Sequence, residues 1–169
     1  MLKKIANINS RENAYGNSKF WEILTKTKYS QYKNSEFFKV LKSSALFENG
    51  DGRLSLEVIR REWGKIAALG LRTCPETDGW SRSAAHGWGA SPAVYLPSYM
   101  LGVRPLEPGY RTFVVDPCHG GIEWARGSVA TPHGPIYASW RRNEKGEVEI
   151  DCTPPPECHR VQGSDRAIK

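Results

Sequence analysis

The spacing of apolar residues changes at Pro105, and that change divides the chain into two kinds of structure. Before it, apolar positions recur three or four apart, the interval at which side chains return to one face of a helix. Beyond it, short runs rich in β-branched and aromatic residues are separated by Gly and Pro, the pattern of antiparallel strands joined by tight turns. A chain that keeps its two periods apart in this way is an α+β protein, its helices and strands segregated along the sequence.

In the first part, Phe37, Phe38, Leu41, Ala45 and Leu46 predict a helix from Ser35 to the turn Asn49-Gly50-Asp51-Gly52. Asp51 or Ser55 can cap a second helix reaching about Leu69, with Leu56, Ile59, Trp63 and Ile66 on one face and Gly70 to stop it. Two helices joined by a glycine turn form an antiparallel hairpin, which cannot bury its apolar stripes alone. A third helical segment is predicted over residues 91–101, with Val94, Tyr95, Tyr99 and Met100 in the core, a kink at Pro97 and a stop at Gly102. The expected strands are 112–115, 122–128, 136–142 and 148–152, with Asn143-Glu144-Lys145-Gly146 turning the last two into a hairpin. Trp124 and Trp140 fall within apolar strand patterns and are expected in the core between sheets. Residues 1–35 are polar and expected to be poorly ordered apart from a short helix over 20–24, and residues 153–169, opening on consecutive prolines, to form an irregular tail.

Composition narrows the function. The formal net charge is +6, but the lysines crowd residues 1–42 while the arginines lie further on among Asp and Glu, so no phosphate-binding face is gathered and a nucleic-acid partner is not expected. The four cysteines lack zinc-ligand spacing, and neither a metal nor a cofactor is indicated. Cys152 and Cys158 could bridge if the prolines between them turn the chain back, or remain thiols. No apolar run follows Met1 as in a signal peptide, none approaches the ~20 residues of a membrane span, and the compartment stays open.

The chemistry gathers between Glu76 and Gly109. Glu76, Trp80, Arg82, His86 and Trp88 are residue types that a sugar site uses: a carboxylate for glycosidic acid or base work, aromatic faces for a pyranose ring, Arg and His as donors to hydroxyls. Asp78 in the same loop reads as a turn residue.

Their order carries a resemblance. Ser81-Arg82-Ser83-Ala84-Ala85-His86-Gly87-Trp88-Gly89-Ala90-Ser91-Pro92, followed by Leu101-Gly102-Val103-Arg104-Pro105-Leu106-Glu107-Pro108-Gly109-Tyr110, resembles the closing part of the α-L-rhamnosidase catalytic domain. Downstream, Asp116-Pro117, Gly120-Gly121, Trp124-Ala125-Arg126-Gly127-Ser128, Thr131-Pro132-His133-Gly134 and Ser139-Trp140 are similar to the small β-sandwich that follows it, and Gly50-Asp51-Gly52 through Gly64 resembles a late barrel helix.

The resemblance covers about residues 37–152. It implies a helical remnant of an (α/α)6 six-hairpin barrel over residues 36–103, followed by a small antiparallel β-sandwich over 104–152. It also implies inverting hydrolysis of terminal α-L-rhamnose, which takes an acid and a base on opposite sides of the sugar. Thr73-Cys74-Pro75-Glu76 stands where the family has a threonine-rich segment ending in its general base, which makes Glu76 the candidate base. His86 corresponds to a histidine lining the sugar, with Trp88, Trp80 and Arg82 as neighbours. The family's general acid comes from an earlier barrel segment, so the chain is expected to be inactive alone and to need the rest of the barrel or self-association. The alternative is a non-catalytic carbohydrate-binding or interaction module, with Trp124, Trp140 or Tyr137 forming a surface on the sheet.

Overall fold

The computed structural model describes residues 36–76 and 83–162, with side chains from Lys42 onward. The short helix expected over residues 20–24, the polar first 35 residues and residues 163–169 lie outside the described residues. Two compact units are present, Met1–Ser91 and Pro92–Lys169.

In the first unit, helix α1 (Glu36–Glu48) runs to the Asn49-Gly50 turn and α2 (Gly52–Ala68) follows. The α1 C-terminus closes as the glycine predicts: Gly50 sits at φ 81°, its N–H donates to the Phe47 carbonyl at 2.9 Å, and the Asp51 N–H reaches back to the Leu46 carbonyl at 2.8 Å. These two bonds satisfy carbonyls that the helix end would otherwise leave open. The capping expected of Asp51 and Ser55 is not found. Asp51 makes no side-chain cap bond, and the buried Ser55 hydroxyl instead donates to the Ser43 carbonyl of α1 at 3.0 Å. Ser55, Leu56, Ile59 and Ile66 form the buried stripe of α2, and Glu62 lies within it, paired with Arg61 at 2.6 Å and Lys65 at 3.2 Å. On α1 the buried positions are Ser43 and Phe47, one residue past the expected Leu46, which is half-buried; the expected Phe37, Phe38 and Leu41 side chains lie outside the described ones.

The second unit opens with a short helix α3 (Pro92–Tyr95) that widens into a π-helical turn, Leu96–Met100. Pro97 has no N–H to give and its ring crowds the carbonyl four residues back, so the predicted kink takes this form and the Leu101 N–H bonds to Leu96 five residues earlier at 2.8 Å. Met100 is buried as expected, but Val94 is 61% exposed because the helix is only one turn long.

Two three-stranded sheets follow, in order β1-β2-β6 and β3-β4-β5. The strands are β1 (Val103–Pro105), β2 (Thr112–Val115), β3 (Trp124–Thr131), β4 (Gly134–Arg142), β5 (Val148–Thr153) and β6 (His159–Val161). Their inner faces share one core: Val103, Phe113 and Val115 from one sheet meet Ile136, Ala138 and Trp140 from the other, as in a sandwich. Two expectations are corrected. The sandwich is not wholly antiparallel, since β6 runs parallel to β2 with Phe113 opposite Arg160, and the stretch after the prolines, expected to be irregular, supplies β6 and the buried Cys158.

Arg104 of β1 fastens the π-turn to the first sheet. Arg104 donates to the Ser98 carbonyl at 3.0 Å, to the Asp116 carbonyl at 3.1 Å and to Asp116 Oδ2 at 2.7 Å, with its guanidinium over the Tyr99 ring. All four cysteines are free thiols, Cys152 and Cys158 included, and burial pushes the Cys152 thiol pKa up, which keeps it protonated.

Candidate functional site

The loop after α2 folds back on itself as two limbs. The Glu76 N–H donates to the Ser83 carbonyl at 3.0 Å, the His86 N–H donates to the Cys74 carbonyl at 2.8 Å, and the Thr73 hydroxyl donates to the Ala84 carbonyl. Residues 73–76 and 83–86 therefore run side by side, which brings Glu76 and His86 into one loop although ten positions separate them in sequence. A further bond, from Trp63 Nε1 to the Gly89 carbonyl at 2.7 Å, ties the second limb to α2. Gly89 is required by this packing, because a Cβ there would collide with the Pro75 carbonyl oxygen.

Glu76 and His86 are half-buried and Trp88 is exposed. The His86 and Trp88 rings lie 4.1 Å apart between centroids, tilted by 42°. Of the candidate side chains described, His86 and Trp88 are brought together, an imidazole with hydrogen-bonding nitrogens beside an indole face able to pack against an apolar sugar surface, while the Glu76 carboxylate is linked to them through the backbone of the loop. Trp80, Arg82 and Asp78 lie outside the described residues. Among the described residues, no three His, Cys, Asp or Glu side chains gather as a metal site, and no helix is long and apolar enough to cross a membrane.

A second surface lies on the sheet, where Trp124 and Tyr137 of the alternative reading are exposed and Trp140 is not. The alternating burial of β3, β4 and β5 sends Trp124, Arg126, Ser139, Tyr137, Asp151 and Glu149 to the solvent face. Trp124 is 66% exposed where a core position was expected, while Trp140 is 2% exposed and donates from Nε1 to the Met100 carbonyl at 2.8 Å. The signal that could have told the exposed aromatics from the buried one is the two-residue period of the strands, given their register.

Residues 102–160 match the family described as the bacterial alpha-L-rhamnosidase C-terminal domain. An alpha-L-rhamnosidase of Streptomyces avermitilis is 30% identical over 95 residues, covering 56% of this chain and 9% of that protein. Among solved structures, the GH78 family rhamnosidase of Bacillus sp. GL1 superposes with a TM-score of 0.67 at 27% identity, over 79% of this chain and 16% of that one. The Streptomyces avermitilis alpha-L-rhamnosidase complexed with L-rhamnose gives 0.51 at 25% identity, over 59% and 11%. The likeness in each case is to an α-L-rhamnosidase, and the family match places it in the C-terminal part; the chain spans at most 16% of the length of these relatives.

Proposed function

We propose that this chain serves the hydrolysis of terminal α-L-rhamnose from rhamnose-containing carbohydrate, as the end of a helical barrel joined to its β-sandwich. The observation that carries this reading is the match of residues 102–160 to the rhamnosidase C-terminal domain; the looped-back segment immediately before that unit supports it. In this reading Glu76 is the general base of an inverting reaction and takes a proton from the attacking water, while His86, Trp88, Trp80 and Arg82 hold the sugar. The complementary acid is supplied from outside this chain, by the rest of a barrel or by another copy. A base without its acid forfeits about 100–10,000-fold in rate, so the chain alone turns over little or nothing.

The test is hydrolysis of a chromogenic α-L-rhamnoside by the purified, folded chain and by its Glu76→Gln variant. The expected result is no turnover from either alone, and turnover on adding a rhamnosidase barrel from which the corresponding C-terminal part has been deleted, lost again with Glu76→Gln. Turnover by the chain alone that Glu76→Gln abolishes would overturn the claim that the acid comes from elsewhere. Restored turnover that survives Glu76→Gln would remove Glu76 from the role of base.

A further inference from the structure

On the solvent face of β3-β4-β5 two open depressions lie side by side, of about 740 and 380 Å³. Arg126, Ser139 and Asp151 line both, and strand register explains why: Arg126 pairs with Ser139 and Ser139 with Asp151, so the three form one row across the sheet. Each depression has its own aromatic, Trp124 in the larger and Tyr137 in the smaller. Trp124 stands one step along the face from the polar row and Tyr137 one step the other way, opposite Ser128. Four residues of strand and one interstrand step separate the two rings' backbones by about 14 Å. Both side chains are more than half exposed, at 66% and 57%.

This alternation of aromatic, polar row and aromatic matches one ligand chemistry. A pyranose presents an apolar face of C–H groups to a ring and hydroxyls at its rim to donors and acceptors, and a chain of pyranoses repeats both. Arg126 supplies only donors and Asp151 only acceptors. Neither side chain has a hydrogen-bond or ion-pair partner among the described residues. Charge narrows the choice further. Arg126, Arg141 and Arg142 in the larger depression are balanced by Glu123, Glu149 and Asp151, and Arg141 is paired to Glu149 at 2.9 Å. A polyanion would find no net attraction here, whereas a neutral ligand carrying hydroxyls would.

We propose that the outer face of β3-β4-β5 is a binding site for a neutral oligosaccharide, with Trp124 and Tyr137 as separate stacking platforms and Arg126, Ser139 and Asp151 binding hydroxyls between them. The site is distinct from the Glu76 loop and uses none of its residues. Only the choice of rhamnose as the first probe rests on the reading above.

The full chain is titrated calorimetrically with a trimer of α-linked rhamnose, a trimer of α-linked glucose and a trimer of galacturonate. The variants Trp124→Ala, Tyr137→Ala and Glu76→Gln are each checked for an unchanged circular dichroism spectrum. The expected result is binding of a neutral trimer, weakened about tenfold, or about 1.4 kcal/mol, by either aromatic substitution and unmoved by Glu76→Gln. Binding lost with Glu76→Gln but indifferent to Trp124→Ala and Tyr137→Ala would overturn this site while leaving the Glu76 loop as the sugar site. Preference for the galacturonate trimer would overturn it, as would no binding by the folded chain. So would a concentration-dependent dimer abolished by Trp124→Ala, since the face would then be covered by a second copy.

Discussion

The helical hairpin and the β-sandwich close their cores by different means. In the sandwich the buried cluster is apolar and drawn from both sheets: Leu101, Val103, Phe113, Val115, Ile136, Ala138 and Trp140. In the hairpin the buried stripe includes Ser43, Ser55 and Glu62, and Leu69 and Leu71 remain exposed at its end. Burial there also holds the Lys42 ammonium below the usual lysine range, with Arg61 pushing the same way and Glu62 opposing. Buried polar groups return little net stability even when paired, whereas apolar area removed from water returns about 25 cal/mol per Å². Among the described residues the more apolar core is that of the sandwich, and stability is expected to reside there, while the loop bearing Glu76 follows the hairpin with the more polar buried stripe.

The largest test of that contrast is Trp140→Ala. It empties a position at the centre of the sandwich core and leaves the Met100 carbonyl without its indole donor. A loss of about 3–5 kcal/mol is expected, read from urea unfolding followed by near-ultraviolet circular dichroism. A loss under about 1 kcal/mol would mean that the sandwich core is not the stabilising one. Next comes Arg104→Ala, which removes its hydrogen bond to the Ser98 carbonyl of the π-turn and both of its bonds to Asp116. Because both partners are partly exposed to solvent, about 1–2 kcal/mol is expected, by the same measurement.

What could be read from the sequence follows the same division between local and distant causes. The Asn49-Gly50 cap and strand β2 were legible because cap chemistry and β-branched runs act within a few residues. Strands β1 and β6 were not, since each is three residues long and owes its existence to β2, with Val103 opposite Val115 and His159 opposite Thr112. Trp124 and Trp140 looked alike as sequence, yet register separates them. Trp124 pairs with Arg141, so Trp140, one position along, points to the other side. The same parity hid the row Arg126, Ser139 and Asp151. Glu76 and His86 were picked out by the order of a motif, and the folding back of the two limbs that carry them depends on backbone bonds that no spacing rule predicts.

A smaller effect sharpens the helical side. Gly50 holds φ 81° with open space around it, so Gly50→Ala meets no clash and bears only the cost of a left-handed residue, about 1 kcal/mol. The loss should appear in the helical signal at 222 nm on heating and leave the near-ultraviolet signal of the Trp140 core unchanged. If both signals shift together, the two units unfold as one and the contrast between them fails.

The smallest effect is a pH dependence on the sandwich's outer face. A hydrogen bond from Arg141, then one from Asn143, then the Arg141 charge, hold the Glu149 carboxyl below the usual carboxylate range. A carboxylate whose pKa is depressed on folding contributes stability above its unfolded pKa of about 4.3, and that contribution is lost as pH falls through the folded value. Wild-type protein should therefore lose more thermal stability than Glu149→Gln between pH 5 and pH 3, with the difference shrinking in high salt because the pair is open to solvent. Parallel melting curves for the two proteins over that range would show that Arg141 and Glu149 are joined without consequence, and that the outer face of the sheet contributes nothing through charge to the stability of the core behind it.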